Sequence, residues 1–502
     1  MAREQMRPVD LVEDDDEDAF TGVEAEATDA PPAGPVDRRR RRRAAVAVAA
    51  VLVVVAAGAG TAQAVQDARE RARYGAVAGQ WGVVAPVRGP LEVMWTTDDA
   101  DALLSRVMTS EATLVGVEPR SKGVLEVTAL DARTGEERWR TPLLEIPAHP
   151  DPDVQARLRE AAGMCQAHPE EPLVVCLATD ARWDPVADPG TPVVPTTARV
   201  LLLDVRDGRV VEDLTEAAGS PLPDAVALVD DVVVTAGADE EAGHVRGLTL
   251  TGDRAWDVTL DAGSHRWAAV KAVGDVLVAA TPREVVLLDS DGTEQARSPV
   301  DDSTWIALAS STSVALVRTR GDVLDEEDLW DATTTVLRAS PLELDGNALQ
   351  PSVDDGSVPG LTLTMTRDAT LHAWDDGGAE VWSAKVRASS VLVLDGRVHL
   401  DIQGGAGRPA GRSLVTFDAR TGEELWSSEE GADLLSDGRL LYREDLDVDD
   451  GEVTRVLVAV DPATGAEVWR EPLAGCADGL STAAGLMLCP TDDGTNTWGV
   501  LG

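Results

Sequence analysis

Most of the chain alternates between apolar and polar positions with a period of two, a pattern typical of half-buried β-strands. The run Leu414–Asp418 is an example, and it is followed by a turn and a second short alternating stretch. This arrangement predicts a β-hairpin, with glycine in the turn where a positive φ is needed. Strand propensity continues from about residue 89 onward, interrupted by one predicted helix, Asp153–Ala162.

The hairpin recurs along the chain as nearly the same ten residues. The strongest copies are Leu130–Trp139, Phe417–Trp426 and Val460–Trp469. The last two lie about 43 residues apart, which is the length of a four-stranded propeller blade. We expect the conserved spacing of Asp and Gly within the copies to define each turn. These turn residues are Asp131, Gly135, Asp418, Gly422, Asp461 and Gly465.

Tryptophan occupies one recurring place in this repeat. The chain has 13 Trp but only two Phe and two Tyr, so Trp serves a specific position and not general core packing. A Trp at the end of a blade can pack flat on the next blade, where it buries roughly 150–250 Å² and its indole N–H finds a backbone partner. Trp residues one blade apart do not easily converge on a ligand. We therefore interpret six of them as blade-docking residues: Trp95, Trp139, Trp256, Trp382, Trp426 and Trp469.

These motifs resemble the pyrroloquinoline-quinone-type (PQQ-type) β-propeller repeat, in which a strand ending in Ala-Leu-Asp is followed by a Thr-Gly turn and a strand ending in Trp. The resemblance covers most of residues 89–502 and is poor near residues 303–345. It implies an all-β, WD40-like propeller of about eight four-stranded blades, within a range of seven to nine. The family includes quinoprotein dehydrogenases and non-enzymatic scaffolds, so the resemblance is specific for the fold and weak for the function.

The ends of the predicted propeller complement each other. Leu91–Trp95 resembles the isolated last strand of a blade, and Cys476–Gly502 resembles a blade that lacks this strand. Pairing of the two segments would close the ring.

Three segments precede the predicted propeller. Residues 1–43 form an acidic tail that ends in Arg38–Arg43, and we expect this tail to be disordered and cytoplasmic. Residues 44–64 are uncharged and long enough to cross a bilayer as a helix. The arginine block predicts a retained signal anchor with a cytoplasmic N-terminus, followed by a juxtamembrane linker at residues 65–88. A cleavable signal peptide is the alternative, since Ala62-Gln63-Ala64 is an acceptable cleavage triplet.

The four cysteines are consistent with an oxidising compartment. Cys165 and Cys176 are close in sequence, as are Cys476 and Cys489, and the second cysteine of each pair has a similar apolar context. We predict two local disulfides with this pairing, although four cysteines allow three pairings. A metal site is less favoured, because the chain has no Cys-x-x-Cys and its six His are scattered.

The net charge restricts the class of binding partner, and the composition indicates the kind of organism from which the protein comes. The net charge of −45 argues against nucleic acid and is compatible with cationic partners or with solubility alone. Only three Lys stand beside 41 Arg, with heavy use of Ala, Val, Asp and Gly. This composition is similar to that of actinobacterial proteins, which would place the anchor in the plasma membrane and the propeller in the cell envelope.

The sequence identifies no catalytic, cofactor-binding or metal-binding residues. A quinoprotein dehydrogenase needs a catalytic Asp near calcium and a cradle for the quinone, and its alcohol-type members carry adjacent cysteines, which this chain lacks. The acidic stretch Asp445–Glu452 departs from an EF-hand loop, because its Gly is seventh and its twelfth position is Val456. We interpret the stretch as a hairpin turn and expect neither PQQ nor calcium.

Together these features predict a single-pass plasma-membrane protein with an extracytoplasmic propeller. We expect it to be a non-enzymatic platform for an envelope protein, peptide or other ligand. One alternative is a sensor that binds a ligand and signals through the helix to the tail. Another is a quinone-dependent dehydrogenase.

Overall fold

The computed structural model describes residues 73–502 with several gaps. The gaps are residues 76, 88–89, 120–123, 146–162, 181–194, 264–266, 302, 320–329, 404–411, 429–431, 450–451, 478 and 492–496. The predicted tail, the predicted anchor and the predicted helix Asp153–Ala162 lie outside the described residues. Within the described residues, no helix has the length and apolar character required to cross a bilayer. The chain divides into two compact units, of which the second, residues 69–502, contains all the described elements.

The described part of the chain forms a propeller of nine blades, each a four-stranded antiparallel sheet with its first strand innermost. Blade 1 consists of β2 (Val107–Met108), β3 (Thr113–Pro119), β4 (Val124–Asp131) and β5 (Glu137–Glu145), and blade 2 consists of β6 (Gly163–Ala167), β7 (Leu173–Thr179), β8 (Ala198–Asp204) and β9 (Val210–Asp213). Blade 3 consists of β10 (Ala225–Val229), β11 (Val232–Ala238), β12 (Gly243–Thr249) and β13 (Arg254–Leu260), and blade 4 consists of β14 (Ala269–Val273), β15 (Val276–Ala280), β16 (Glu284–Leu288) and β17 (Glu294–Pro299).

The other five blades follow the same order. Blade 5 consists of β18 (Thr304–Ser310), β19 (Ser313–Thr319), β20 (Ala332–Val336) and β21 (Leu342–Asp345), and blade 6 consists of β22 (Asn347–Ala348), β24 (Thr362–Met365), β25 (Thr370–Trp374) and β26 (Glu380–Lys385). Blade 7 consists of β27 (Ala388–Leu394), β28 (Arg397–Gln403), β29 (Arg412–Asp418) and β30 (Glu424–Ser428), and blade 8 consists of β31 (Ala432–Ser436), β32 (Leu441–Asp449), β33 (Glu452–Val460) and β34 (Glu467–Pro472). Blade 9 consists of β35 (Ser481–Ala483), β36 (Leu486–Pro490), β37 (Trp498–Leu501) and β1 (Val93–Thr97). The short strand β23 (Val353–Asp354) pairs in parallel with β27, and two short helices, α1 (Ala100–Leu104) and α2 (Thr215–Ala218), join blades.

The ring closes as the sequence predicts, because β1 pairs with β37 and Trp95 lies opposite Val500. The blade count is nine and not the expected eight. The additional blade is blade 5, where the repeat motif is poor but strands β18–β21 are complete. Its outer strand carries Leu342 where six of the other blades carry Trp, and Leu342 packs on Gly378 of the next blade. A different apolar side chain therefore makes the same joint.

Each repeat turn is organised by its Asp side chain. Asp131 Oδ1 accepts hydrogen bonds from the backbone N–H groups of Arg133 and Thr134, both at 3.0 Å. The Gly135 N–H donates to the Asp131 carbonyl at 2.9 Å, and Gly135 has a φ of 68°. The turns Asp418–Gly422 and Asp461–Gly465 make the equivalent bonds.

A tryptophan from one blade lies against the turn of the next blade. Trp139 Nε1 donates to the carbonyl of Val205, the residue after the turn Asp of blade 2, at 2.6 Å. A Cβ atom on Gly208 of that turn would lie 2.3 Å from the Trp139 ring, so only glycine leaves room for the indole. The equivalent N–H to carbonyl bonds, at 2.9–3.1 Å, are made by Trp95, Trp256, Trp382 and Trp426.

Trp469 occupies the corresponding place in blade 8, where it lies 5.8 Å from the Tyr442 ring and packs in the buried cluster shared with blade 9. The core as a whole consists of such layers between blades. One layer joins blades 1 and 2, another blades 3 and 4, and another blades 6 and 7.

Both predicted disulfides are present. Cys165 of β6 is bonded to Cys176 of β7, and Cys476 is bonded to Cys489 of β36. Each bond links the inner strand of a blade, or the segment before it, to the second strand. The predicted pairing is confirmed.

We predict that Gly422→Ala destabilises the propeller more than Gly396→Ala does. Both glycines have a positive φ, of 70° and 75°, so each substitution costs about 1–2 kcal/mol in backbone strain. A Cβ at residue 422 would lie 2.5 Å from Trp382, whereas a Cβ at residue 396 has no atom within 4 Å. Overpacking should add roughly 1–3 kcal/mol at residue 422 only. Urea unfolding measures both losses, and equal losses would show that the indole does not require the open space.

Candidate functional site

The end of the predicted linker packs into the propeller. Residues 77–87, here called the N-terminal segment, lie against the inner strands of blades 8 and 9 and against β23. The Val84 N–H donates to the Ser436 carbonyl at 2.9 Å, and the Ser436 N–H donates to the Gly82 carbonyl at 3.0 Å. The Ala85 N–H donates to the Gly485 carbonyl at 2.8 Å. The segment is therefore held by backbone bonds in the manner of an added strand.

Two side chains complete this attachment. The Gln80 amide pairs with the backbone of Asp354 in β23: its Nε2 donates to the carbonyl at 2.8 Å, and its Oε1 accepts from the N–H at 2.6 Å. Thr482 Oγ1 of β35 donates to the Trp81 carbonyl at 2.6 Å. These bonds hold Trp81 between blade 9 and the inner strand added to blade 7.

A cavity of about 320 Å³ lies between the N-terminal segment and the inner strands of blades 7, 8 and 9. We call it the central cavity. Eleven residues line it, including Trp81, Asp401 and three leucines. Five others carry a hydroxyl group: Ser352, Ser389, Ser390, Ser481 and Thr482.

Asp401 and His399 lie on one face of β28, two residues apart. Asp401 is buried and lines the central cavity. His399 is completely buried, and its Nδ1 lies 2.8 Å from Thr416 Oγ1. Burial, together with the nearby charge of Arg397, lowers the pKa of His399 to about 3, so this side chain is neutral at physiological pH. Its ring lies 6.0 Å from that of Trp426, within the joint between blades 7 and 8.

A second feature is the hairpin of β32 and β33, which extends beyond its neighbours. Strand β31 pairs with β32 only as far as Glu444, and β34 pairs with β33 only as far as Val456. The projecting residues between them, 445–455, are here called the ribbon. Its exposed apolar side chains are Leu446, Val448 and Val453, with exposed fractions of 53%, 69% and 59%.

The ribbon has one acidic face and one apolar face, because side chains alternate along a strand. Arg470 of β34 holds the acidic face: its Nη1 lies 2.9 Å from Asp447 Oδ1 and its Nη2 lies 3.1 Å from Asp445 Oδ2. Val448 and Val453 lie opposite each other in register on the other face, where Leu446 lies opposite Arg455, which pairs with Glu444 at the base of the ribbon. The ion pairs therefore direct the apolar face away from Arg470.

The described residues of the acidic stretch, 445–449 and 452, lie on the two paired strands of a hairpin, as interpreted from the sequence. No group of three or more His, Cys, Asp or Glu side chains is arranged to hold a metal ion among the residues that the structure describes. The predicted turn and docking residues lie at the joints between blades, and they do not converge on the central cavity or the ribbon. Sequence reasoning missed Trp81, which precedes the repeats, and Asp401, whose strand has no distinctive motif.

The central cavity is a poor match for the quinone cofactor that the repeat family suggests. Pyrroloquinoline quinone carries carboxylate groups, whose charges need cationic or multiple N–H partners in a buried site. The described residues that line the cavity include the Asp401 carboxylate and neither Lys nor Arg. This lining therefore supplies none of the cationic partners that the carboxylates of the cofactor need.

Comparison with known proteins supports the repeat type. Residues 319–484, about a third of the chain, match the family model described as outer membrane protein assembly factor BamB. The repeats are of the PQQ type. No protein among curated sequences matches the chain.

Several solved structures are similar to this chain at low identity. BamB from Moraxella catarrhalis is 13% identical over 82% of this chain and 99% of its own, with a TM-score of 0.39. A quinohemoprotein alcohol dehydrogenase from Pseudomonas putida is 12% identical over 84% of this chain and 80% of its own, with a TM-score of 0.38. A eukaryotic initiation factor is 9% identical over 78% and 90%, with a TM-score of 0.42. Scores this low favour none of these proteins as a guide to function.

One carboxyl group among the inner strands has a strongly shifted pKa. Asp224 directly precedes β10, the inner strand of blade 3, and its Oδ2 lies 3.5 Å from the N–H of Ala268, just before β14. Burial raises the pKa of Asp224 to about 7. The folded protein therefore retains this proton at pH values where the unfolded chain, with an ordinary pKa of about 3.9, has lost it.

We predict that Asp224→Asn stabilises the protein increasingly as the pH rises from 5 to 7. Between the unfolded and folded pKa values, the Asp224 carboxyl is protonated in the folded protein and ionised in the unfolded chain. The free energy of unfolding of the wild type therefore falls by about 1.4 kcal/mol for each pH unit until the pH passes the folded pKa. The amide cannot ionise, so the advantage of the variant should level off above pH 7. Urea unfolding at pH 5, 6, 7 and 8 measures this difference.

Asp239→Asn serves as the matched control. Hydrogen bonds from the Glu241 and Ala242 N–H groups lower the pKa of Asp239, so this substitution should have a nearly constant effect over the same range. A gain from Asp224→Asn that did not change with pH would show that Asp224 is ionised in the folded protein.

Proposed function

We propose that this protein is a non-enzymatic binding platform, anchored in the plasma membrane by residues 44–64 and presenting its propeller in the cell envelope. The observation that carries the proposal is the apolar face of the ribbon. Soluble surfaces rarely expose clustered large apolar side chains without a partner. Leu446, Val448 and Val453 are each more than half exposed on one short hairpin.

The ribbon favours an extended polypeptide as the partner. Beyond Glu444 and Val456, no other described strand pairs with the two strands of the ribbon, and the Leu473 N–H donates to the Arg455 carbonyl at the base. The outer edges of the ribbon are therefore suited to an added strand. Apolar side chains of that strand would cover Val448 and Val453. The acidic ribbon and the net charge of −45 favour basic residues at its alternate positions. We infer a partner segment in which apolar and basic residues alternate.

A non-enzymatic role agrees with the chemistry of the residues in and near the central cavity. The neutral His399 packs in the joint between blades 7 and 8, and the described lining of the cavity offers no basic side chain to an anionic quinone. The quinone-dependent dehydrogenase is therefore the weaker proposal. The sensor remains a second candidate, because the N-terminal segment supplies Trp81 and Gly82 to the cavity wall. A ligand bound there would contact the part of the chain that leads to the proposed anchor.

We predict that a photo-cross-linking residue at position 448 captures one discrete partner in intact membranes, whereas the same residue at position 468 does not. Val468 is the matched control, because it is 53% exposed on the outer strand of the same blade but lies outside the ribbon. Adding Leu446→Thr and Val453→Thr should abolish the cross-link. These surface changes should alter stability by less than about 0.5 kcal/mol.

The chemistry of the partner can be tested with two synthetic peptides. An octapeptide of alternating Arg and Val should compete with the cross-link, and its Glu and Val counterpart should not. Arg470→Gln, which removes the cation beside Asp445 and Asp447 and makes the ribbon more acidic, should strengthen competition by the Arg and Val peptide with little change in stability. Equal labelling from positions 448 and 468, or equal competition by both peptides, would contradict the proposal.

A further inference from the structure

We infer that the N-terminal segment is an intramolecular peptide ligand of the propeller, which binds across blades 7, 8 and 9 and latches the closure of the ring. In this role it keeps β1 paired with β37 and bears any pull on the chain that precedes it. The inference does not depend on the ribbon or on the platform proposal. It rests on the place where the ring closes, on the bonds of the segment and on the order of the chain.

The ring closes within blade 9, which combines strands from the two ends of the described chain. Its outer strand β1 pairs with β37 through four residue pairs, and the register is irregular between Val93 and Trp95. None of the five residues of β1 is fully buried. Its inner strand β35 has three residues, whereas the inner strand β10 of blade 3 has five. The two edge strands of blade 9 are therefore short or irregular.

The N-terminal segment is bonded to the inner side of three consecutive blades. The Gly82 N–H donates at 3.0 Å to the carbonyl of Ser352, which directly precedes β23, and β23 is paired with β27 of blade 7. The backbone bonds to Ser436 reach blade 8, and the bonds to Gly485 and Thr482 reach blade 9. The segment therefore ties the closing blade to the two blades before it.

Three valines of the segment lie in the apolar layers between these blades. Val77 and Val83 belong to the buried cluster of blades 7 and 8, and Val84 belongs to that of blades 8 and 9. Each of the three is at most 1% exposed. Backbone bonds along an inner edge, together with apolar side chains in pockets, are the features of a peptide bound by strand addition. A linker that only spans a distance needs neither.

The order of the chain makes this bound peptide a latch. Residues 88–92 connect it to β1, and Leu91 is buried in the same cluster as Val84. A pull on the chain before residue 77 therefore reaches the bonds of the segment before it reaches β1. While the segment is bound, this short connection keeps β1 close to β37 and reduces the entropy lost when they pair. Release of the segment should thus weaken the closure and leave distant blades unchanged.

The test is cleavage of the full-length protein in detergent, with an affinity tag at the N-terminus and a specific protease site inserted between residues 87 and 88. We expect the tag to retain the propeller fragment after cleavage, because the segment stays bound without a covalent link. The same site inserted directly before Arg73 is the position control, and cleavage there should release the propeller together with its segment. Loss of the propeller at the first site, or its retention at the second, would overturn the inference.

A substitution and a free peptide locate the binding. Gln80→Ala removes two hydrogen bonds to the backbone of Asp354, so the dissociation constant of the cleaved segment should rise at least about tenfold. The matched control Gln295→Ala removes an exposed hydrogen bond to Asp289 in blade 4 and should leave that constant unchanged. A synthetic peptide of residues 73–88 should compete with the cleaved segment, and its Q80E counterpart, which lacks the amide donor, should compete less well. Equal effects of the two substitutions, or equal competition by the two peptides, would contradict the assigned contacts.

Hydrogen exchange distinguishes a latch from a segment that is merely bound. The cleaved propeller is compared with and without its segment, which is removed by washing in mild denaturant. Without the segment, the backbone amides of β1 and β37 should exchange at least about tenfold faster, whereas those of β20 in blade 5 should not change. This comparison needs no substitution, so it holds even where Gln80→Ala impairs folding. Unchanged exchange of β1 and β37 would show that the segment does not hold the ring closed.

Discussion

The structure depends on the joint between a tryptophan of one blade and the turn of the next. The indole needs a flat space and a carbonyl acceptor, and the turn that runs from an Asp to a Gly provides both. Its glycine leaves the space, and the carbonyl after its Asp points at the indole N–H, as for Trp139 and Val205. Because each joint involves only adjacent blades, the ring can include blades 2, 4 and 5, whose outer strands have no Trp, provided that other side chains fill the space.

A ring built from adjacent contacts leaves its centre to be filled by other parts of the chain. Here the N-terminal segment and β23 occupy the inner side of blades 7 to 9 and are joined by the Gln80 amide. Between them and the inner strands lies the central cavity. The same segment leads toward the predicted membrane anchor, so the element that shapes the cavity also connects the propeller to the rest of the chain.

The ribbon and the central cavity differ in their physical basis. The ribbon presents apolar side chains to solvent because Arg470 pairs with the carboxylates on its other face. The central cavity presents hydroxyl groups, three of which donate to nearby carbonyls. The first surface is suited to an extended chain, and the second offers polar groups in an enclosed space.

The sequence by itself determined the repeating unit, the role of the turn glycines, the pairing of β1 with β37 and the two disulfides. These features depend on residues close together in sequence, or on a motif whose period is one blade. Tertiary structure decided the number of blades, because blade 5 keeps the strand alternation and loses the motif. It also decided the central cavity: Trp81, Ser352, Asp401 and Ser481 meet there through contacts across hundreds of residues, and no local pattern records such contacts.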